Sequence, residues 1–354
     1  RELQNQSSNH TLIPLSKEEM DITDIESIEL ALQKYKPQVF IHTAALSRPM
    51  NSHSDNPDKS ISLNIIGTSN CVLACIKYNV KRLIFTSSLA VYGYGEGGLF
   101  NETQIPKPID PYGVAKYACE KYLEYAHRSY GLPFTAIRQT NAYGRKDNNF
   151  FVTEQIIYQM LTNSKEINLG YGEPYRNFIY IDDLLDAWET VIENPDKCAG
   201  EIFCIGPNNA VKIKDYVQLI ADKIGWDGHV NWNTKPKRPG EIYLLNSSNN
   251  KITARLGWYP KVDLSTGLDL TIAVWKNIVD NNVGLDAINS IRVRNFEYRV
   301  AEEVTELPQN QAIPNQGVQL GVIAQELQAV LPECVKTEST GVMSVDTDNL
   351  TWYM

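Results

Sequence analysis

The strongest constraint on the fold is an alternation of short apolar runs with longer helical stretches between residues 21 and 170. The apolar runs are rich in β-branched residues and indicate buried strands at residues 39–43, 82–87 and 133–138. The stretches between them have the apolar spacing of helices, at residues 61–78 and 111–130. Strands that alternate with helices are typical of a parallel sheet with crossover helices. The sequence therefore predicts an α/β fold on a doubly wound parallel sheet.

Polar or small residues follow each predicted strand, at residues 42–45, 87–88 and 138–141. In doubly wound sheets, ligands bind in the crevice at the carboxyl ends of the strands. We therefore expect these three segments, including His42, Ser87 and Arg138, to face one crevice.

Tyr112 and Lys116 are four residues apart at the start of the predicted helix 111–130, so their side chains project from one face. A phenol has a pKa near 10, and about 4 kcal/mol of preferential stabilisation of the phenolate would bring that pKa close to 7. A neighbouring ammonium and the helix amino end can supply such stabilisation. Ser88, at the end of the preceding strand, would bind the same substrate oxygen. The three residues predict proton transfer at a hydroxyl, although this spacing alone is also common in exposed helical pairs.

Composition argues against several classes of function. The formal net charge is -9 and no run of Lys and Arg stands out, so we expect no nucleic-acid partner. No apolar stretch approaches the roughly 18 to 20 residues of a membrane-spanning helix, so we expect no membrane partner and a cytoplasmic location. The 6 cysteines and 5 histidines lack the spacing of a disulfide framework or a metal site, and none is expected to bind a metal.

Three motifs carry a resemblance to a known family. The run Thr-Ser-Ser-Leu-Ala-Val-Tyr-Gly at residues 86–93 is followed by Glu102 in an acidic loop and by Pro-Tyr-Gly-Val-Ala-Lys at residues 111–116. Together they resemble the extended short-chain dehydrogenase/reductase family, specifically its nucleotide-sugar epimerases and dehydratases, over about residues 21–279. The resemblance implies a Rossmann-like NAD-binding domain at residues 1–170. It also implies a smaller α/β nucleotide-sugar-binding domain at residues 171–280, with some elements interleaved.

The family likeness assigns further site residues beside the catalytic Ser88, Tyr112 and Lys116. The cofactor contacts that it implies are Asp21, Ile22, Thr43, Ala44, Ala45, Asn64, Tyr112 and Lys116. The substrate contacts that it implies are Ser88, Asn141, Arg176, Arg238 and Glu241. For Asp21 and Asn64, a turn cap and a satisfied helical asparagine are the alternative interpretations. NAD is the implied cofactor, and NADP stays open because the segment after the second strand that normally selects between them is not found.

The opening of a dinucleotide fold is not found in this sequence. Such a fold begins with a strand, a glycine-rich turn and a helix whose amino end holds the pyrophosphate. Here the first twenty residues are polar, and the first glycine is Gly67 inside a predicted helix. We therefore expect the front βαβ unit of the sheet to be missing.

The two residues after Ser88 bear on the type of reaction. In the family's 4,6-dehydratases these positions usually carry an Asp and a Glu that transfer protons, whereas here they are Leu89 and Ala90. The resemblance then favours an epimerase that oxidises C4 of a UDP-hexose transiently with NAD, of the UDP-glucose/UDP-galactose type. A 4-keto sugar reductase with the same three catalytic residues, or a dehydratase, is the alternative.

Residues 281–354 differ in composition from the rest of the chain, with 10 acidic and 4 basic side chains. The run Gly-Val-Ile-Ala-Gln-Glu at residues 321–326 and its surroundings resemble the intramolecular chaperone domain of phage tailspikes and tail fibres. The resemblance implies a small α+β appendage, with an ordinary amphipathic helix carrying Ile323, Leu327 and Val330 as the alternative. A second hypothesis follows, in which a tail-fibre assembly module is fused to an inactive carrier and the chain associates with a virion.

The expected oligomer follows from the same two resemblances. The first implies a homodimer through the Rossmann domain, and the second a trimer through the C-terminal segment.

Overall fold

The computed structural model describes residues 10–46, 57–94, 98–146, 148–236 and 241–290, together with four short strands beyond them. The chain divides into two compact units, Arg1–Ala273 and Val274–Met354. The helices in chain order are α1 (Ile25–Tyr35), α2 (Pro57–Ser60), α3 (Gly67–Lys77), α4 (Pro111–Tyr130), α5 (Val152–Thr162), α6 (Ile181–Glu193), α7 (Pro195–Cys198), α8 (Ile213–Ile224), α9 (Asn250–Leu256) and α10 (Leu264–Ser290). The strands of the first unit are β1 (Val39–His42), β2 (Arg82–Ser88), β3 (Phe134–Gln139), β4 (Asn141–Tyr143), β5 (Glu166–Asn168), β6 (Tyr175–Arg176), β7 (Phe178–Tyr180), β8 (Glu201–Ile205), β9 (Val211–Lys212), β10 (His229–Asn231) and β11 (Leu244–Leu245).

A four-stranded parallel sheet forms the centre of the first unit, in the order β1-β2-β3-β8. Its register places Ile84 beside Ile41 on one side and beside Thr135 on the other. The predicted α/β class and its parallel sheet are confirmed. Strand β8 lies in the range predicted for the second domain. The chain therefore leaves the central sheet after β3, forms β4 to β7, and rejoins the sheet at β8.

Both faces of this sheet are covered, as a doubly wound fold requires. On one face, Leu83 and Phe85 of β2 pack in a buried cluster with α1, α3 and α4, which contribute Ile28, Cys75 and Leu123. On the other face, a second cluster joins the sheet to α6 and α9 through Ile84, Ile137, Leu184, Trp188, Phe203 and Ile252. The sheet is therefore a two-sided core, and its polar residues collect at the strand ends.

The helical run that contains α3 begins at Pro57, earlier than the predicted helix 61–78. Between α2 and α3 the chain forms a π-helical turn, Ile61–Ile66, so that helix is continuous through this region. By length and composition, the stretch Asp58–Lys77 could cross a membrane, although no such stretch was predicted. In this fold Cys71, Val72 and Cys75 are fully buried in the core cluster beneath the sheet.

Short strands extend the first unit beside the central sheet. Strand β4 pairs in parallel with β7, and β5 pairs in parallel with β10. Strand β6 lies between β11 and β9. These pairings bring the segments around Asn141 and Arg176 to neighbouring positions, because Asn141 N donates to the carbonyl of Asn177 over 3.3 Å.

Within the second unit, the described residues form two antiparallel strand pairs. Strand β12 (Arg294–Glu297) pairs with β13 (Val318–Gly321), and β14 (Val335–Thr337) pairs with β15 (Met343–Val345). Ile323, Leu327 and Val330, which carried the alternative helix, lie outside the described residues.

Candidate active site

The start of helix α4 is fixed against the end of β2. Asp110 caps the helix by accepting a hydrogen bond from Gly113 N at 2.8 Å, and Pro111 occupies the first turn. A Cβ atom on Gly113 would lie 2.5 Å from the carbonyl oxygen of Ala90, so the two backbones approach closely here. Ala90 belongs to a 3-10 turn, Leu89–Tyr92, that follows Ser88 directly. This contact places Tyr112 beside Ser88.

Ser88 and Tyr112 are joined by a side-chain hydrogen bond. The Ser88 hydroxyl also accepts from Ala90 N at 3.2 Å, which fixes its rotamer. Burial raises the pKa of Tyr112 above its ordinary value, the bond to Ser88 opposes that change, and the Asp110 carboxylate adds to it. The phenol is therefore neutral at physiological pH in this state and ready to donate or to exchange its proton with a bound oxygen.

Lys116 lies one helical turn beyond Tyr112 and is buried. Its ammonium donates to the carbonyl of Thr86 at 2.7 Å and lies 5.6 Å from the centre of the Tyr112 ring. Burial lowers the pKa of Lys116 to about 8, although the nearby Cys119 and Glu120 favour the charged form. The pKa of the phenol is raised here, not lowered toward 7, because burial has the largest effect on it.

The polar residues expected in the crevice divide into two groups. Ser88 and the exposed Thr43 and Ala44 lie at strand ends as predicted. His42, Ser87 and Arg138 are instead buried within the first unit, so the expectation that they face a crevice is wrong. Side chains on successive residues of a strand point to opposite faces, which explains why Ser87 is turned away from its neighbour Ser88.

His42 is a neutral structural residue. Its Nε2 lies 2.9 Å from the hydroxyl of Thr68, and that hydroxyl donates to the carbonyl of Asn64 at 2.6 Å. Because the Thr68 proton is engaged, His42 Nε2 carries the hydrogen of the pair. Burial, aided by the charge of Lys116, lowers the pKa of His42 to about 3.

Asn64 holds the segment that follows β1. Its amide oxygen accepts from Leu46 N at 2.7 Å, and its amide nitrogen donates to Leu46 O at 3.3 Å and to the Ser60 hydroxyl at 3.2 Å. Asn64 is 2 % exposed, so its side chain acts within the protein, as the alternative interpretation stated. The contact nevertheless fixes Thr43, Ala44 and Ala45 at the carboxyl end of β1, where the sequence predicts the cofactor.

Asp21 and Ile22 form a turn ahead of α1. The Asp21 carboxylate accepts from the Thr23 amide at 2.9 Å and from the Thr23 hydroxyl at 2.7 Å, and these bonds lower its pKa. Ile22 is 4 % exposed and packs in the core cluster. The side chain of Ile22 therefore belongs to the core, and only its backbone could make the predicted cofactor contact.

Arg176 and Glu241 of the predicted substrate site form an ion pair. Arg176 Nη2 lies 2.6 Å from Glu241 Oε1, and Arg176 Nη1 donates to the carbonyl of Tyr175 at 2.9 Å. Asn141 is half-buried at the start of β4, bonded to the residue after Arg176. Arg238 lies outside the described residues. The structure therefore brings Asn141, Arg176 and Glu241 into one region of the first unit.

The residues around Lys116 fit the nicotinamide and ribose end of a dinucleotide. The ammonium and the Tyr112 phenol supply donors, and Thr86 Oγ1 is buried without a hydrogen-bond partner among the described residues. The exposed segment at Thr43 and Ala44 leaves the backbone accessible at the neighbouring strand end. A glycine-rich pyrophosphate turn has no counterpart before Gly67 in the sequence.

Sequence reasoning missed the polar residues behind this site, above all Glu120 and Tyr92. Glu120 has no exposed surface, and its carboxylate forms an ion pair with Arg138 at 2.7 Å. A signal was present, because Glu120 lies one turn beyond Lys116 on the buried face of helix 111–130. An acidic residue at that position needs a buried partner.

Two family models match the chain. Residues 2–206 match the NAD dependent epimerase/dehydratase family, and residues 275–336 match the chaperone of endosialidase.

Solved structures and curated relatives agree with the first match. UDP-glucose 4-epimerase from Thermotoga maritima, solved with UDP-glucose, is 31% identical with a TM-score of 0.68, covering 78% of this chain and 87% of that one. The Thermus thermophilus UDP-glucose 4-epimerase complex with NAD is 27% identical with a TM-score of 0.66, covering 73% and 83%. GDP-L-fucose synthase of Sinorhizobium fredii is 25% identical and covers 78% of this chain and 91% of its own length.

Proposed function

The chain belongs to the NAD dependent epimerase/dehydratase family, and we propose that it is a nucleotide-sugar 4-epimerase of the UDP-glucose/UDP-galactose type. The observation that carries this proposal is the contact of Ser88 with Tyr112, one turn from the buried ammonium of Lys116. When bound, NAD supplies a reversible hydride acceptor for C4 of the sugar.

Each catalytic side chain has a distinct task in the proposed reaction. Ser88 binds the C4 oxygen of the sugar and orients it toward Tyr112. Tyr112 in its phenolate form takes the hydroxyl proton as the carbon is oxidised, and returns it when the carbon is reduced on the opposite face. Lys116 holds a positive charge beside the phenol, which favours the phenolate while the proton is away.

The side chains after Ser88 argue against dehydration. Leu89 and Ala90 are 1 % and 8 % exposed, and neither can donate or accept a proton. Elimination of water from the sugar needs an acid and a base beside the catalytic serine, and these two positions supply neither. Neither position can therefore take part in proton transfer, and the proposed reaction assigns it to Ser88 and Tyr112.

A 4-keto sugar reductase is the second candidate. The relative from Sinorhizobium fredii carries the name GDP-L-fucose synthase and aligns over 91% of its length, further than the other relatives cited above. The three catalytic residues serve a net reduction equally well, since the phenol then donates its proton once. The two reactions differ in stoichiometry, because a reductase consumes one reduced nicotinamide per turnover and an epimerase consumes none.

The Arg176–Glu241 pair is the proposed diphosphate site. Guanidinium groups bind phosphate oxygens in a bidentate manner, and Arg176 is held with 15 % of its side chain exposed. In the proposed complex, the diphosphate replaces Glu241 as the partner of Arg176, and Asn141 contacts the sugar nucleotide. Arg238 belongs to the same proposal.

An apolar surface supports the proposed homodimer. Ile66 and Leu73 on one helix and Val114 and Tyr125 on α4 are large side chains with 44 % to 50 % of their surface exposed. The π-helical turn and α3 pack beside α4, so these side chains belong to adjacent helices. Burying such a surface against a second copy would stabilise the dimer.

The match to the chaperone of endosialidase supports a proposal of another class, in which the C-terminal segment drives trimer formation and the first unit is its carrier. Light scattering of the full chain and of a chain ending at residue 280 separates the two proposals. A dimer in both samples supports the homodimer, whereas a trimer that is lost on truncation supports the assembly module and an association with a virion.

The activity is tested with purified protein, NAD and UDP-glucose, following UDP-galactose by NMR. Interconversion without net change in NADH is expected, and Tyr112→Phe should abolish it. The matched control is Tyr130→Phe, at an exposed tyrosine near the end of the same helix. A folded protein that binds NAD but interconverts neither sugar, or a Tyr112→Phe variant that retains turnover, would contradict the proposal. Consumption of NADPH with a 4-keto sugar would favour the reductase.

A further inference from the structure

Behind the proposed catalytic group lies a buried network of polar side chains. Its members are at most 3 % exposed and come from four elements and the turn after β2: Ser87, Tyr92, Glu120, Arg138 and Cys204. None of them faces the substrate, so the mechanism above does not use them. A buried charged network of this size is costly to form unless every group in it is satisfied.

The centre of the network is a bidentate ion pair. Arg138 Nε donates to Glu120 Oε1 at 2.9 Å, and Arg138 Nη2 donates to Glu120 Oε2 at 2.7 Å. The Ser87 hydroxyl donates to the same Glu120 Oε1 at 2.5 Å. Both carboxylate oxygens are thereby engaged, and the pair is neutral as a whole.

Tyr92 extends the network to the following loop. Its hydroxyl accepts from Arg138 Nη1 at 2.6 Å and donates to the carbonyl of Asn101 at 2.7 Å. Since that proton is engaged, the Cys204 thiol, 3.2 Å away, is the donor in their contact. The guanidinium thus connects helix α4, strand β3 and the 3-10 turn in one defined arrangement.

Each catalytic residue is connected to this network through the backbone. Ser87 precedes Ser88 in strand β2, and Glu120 lies one helical turn beyond Lys116. Tyr92 ends the 3-10 turn whose Ala90 carbonyl lies against Gly113, the neighbour of Tyr112. A displacement of Glu120 would therefore reach all three catalytic residues through short, rigid connections.

We infer that Glu120, paired with Arg138 and bonded to Ser87, is a positioning residue that holds strand β2 and helix α4 in the register at which Ser88, Tyr112 and Lys116 meet. The inference rests on the proposed function for its kinetic consequences. Its structural part concerns the backbone of residues 88–92 and can be measured without turnover.

The test removes the connection to Ser88 and leaves the ion pair in place. Ser87→Ala deletes one fully buried hydroxyl, and the matched control Thr135→Val deletes another, whose hydrogen bond to Cys198 O of 2.8 Å lies at the opposite end of the sheet. Hydrogen exchange by mass spectrometry and steady-state kinetics are measured on both full-length variants. A second variant, Glu120→Gln with Arg138→Met, removes both charges together, because removing one alone would leave the other buried and unpaired.

In Ser87→Ala, we expect the amides of residues 89–92 to exchange about fivefold faster, the effect of one lost hydrogen bond. We expect kcat to fall about tenfold with KM within about twofold, since misplaced catalytic groups slow the chemical step. Thr135→Val should leave both quantities unchanged. The double variant should reproduce the loss of kcat in a folded protein.

Equal exchange at residues 89–92 in the two single variants would overturn the inference. So would a folded double variant with wild-type kcat. A wild-type protein without turnover would refute the proposed function instead, and the exchange measurement would then decide the inference alone.

Discussion

Gly93→Ala should lower the free energy of unfolding more than an alanine substitution at a glycine whose surroundings leave room for a Cβ atom. Gly93 directly follows the 3-10 turn Leu89–Tyr92 and has φ 58° and ψ -125°, a conformation that L side chains rarely adopt. A Cβ atom there would lie 1.9 Å from the carbonyl oxygen of Lys107. That atom belongs to the backbone, so a rotamer change cannot remove the clash.

The cost has two parts. At a positive φ with ψ -125°, outside the left-handed helical region, the backbone contributes about 1 to 3 kcal/mol for a residue with a Cβ atom. Opening the contact from 1.9 Å to the 3.4 Å at which ordinary van der Waals distances begin adds an overpacking cost of about 1 to 3 kcal/mol. Gly93→Ala should therefore lower the free energy of unfolding by about 2 to 6 kcal/mol, a large share of the about 5 to 15 kcal/mol of a typical domain.

Gly98→Ala is the control for the contact with Lys107. Gly98 also has a positive φ, of 80°, but a Cβ atom there meets no heavy atom of the described residues within 4 Å. Urea denaturation followed by tryptophan fluorescence gives both free energies of unfolding. We expect Gly93→Ala to exceed Gly98→Ala by about 1 to 3 kcal/mol. Equal losses in the two variants would show that the contact with Lys107 does not constrain the turn.

Four further outcomes follow from the site. Tyr112→Phe should lower the free energy of unfolding by no more than about 1.5 kcal/mol, as circular dichroism of its thermal unfolding would show, because it removes a hydroxyl and its hydrogen bond to Ser88 but keeps the buried ring. Turnover should fall as the pH rises through about 8, where Lys116 loses its proton, and a pH profile flat to pH 10 would contradict this. His42 binds a proton in the unfolded chain near pH 6.5 but in the folded protein only near pH 3, so the free energy of unfolding should decrease as the pH falls between these values; His42→Gln should flatten that dependence in denaturation curves. Arg176→Ala should raise KM for the sugar nucleotide about tenfold or more through the loss of charge-assisted hydrogen bonds. Glu241→Gln removes only the carboxylate that competes with the diphosphate for Arg176 and should not raise KM, and initial rates against substrate concentration measure both.

The parallel sheet and helix α4 were predictable because their signals are local. The β-branched runs mark β2 and β3, and helix 111–130 was predicted with the bounds that α4 has. Strand β8 was harder to place, since its pairing with β3 joins residues that are more than sixty positions apart. The residues of β8 and its neighbours in the sequence do not indicate which sheet the strand joins.

The chemical roles of Ser88, Tyr112 and Arg176 could be predicted from the sequence, but their contacts in the folded chain could not. The spacing of Tyr112 and Lys116 shows that they share a helix face, but it does not show that burial dominates their pKa values. The ion pair of Arg138 with Glu120 depends on the register between β3 and α4, which the sequence does not display. Arg138 could therefore be assigned to the crevice on sequence grounds and still be wrong.

The π-helical turn at Ile61–Ile66 has a consequence for how this chain tolerates deletions. A π-helical turn holds one more residue than an α-helical turn, so loss of a single codon here would let the helix continue as a regular α-helix. The turn itself takes up the extra residue, so the residues on the amino side would keep nearly the same face relative to α3, whereas a deletion within a regular α-helix rotates them by about 100°. With Ile61 removed, Ser60 would precede Asn64 by three residues and would still share its helix face, so the bonds that hold Leu46 can persist. A deletion scan through this helix should thus find that loss of the exposed Ile61 or Ile66 is tolerated better than loss of a residue within α3.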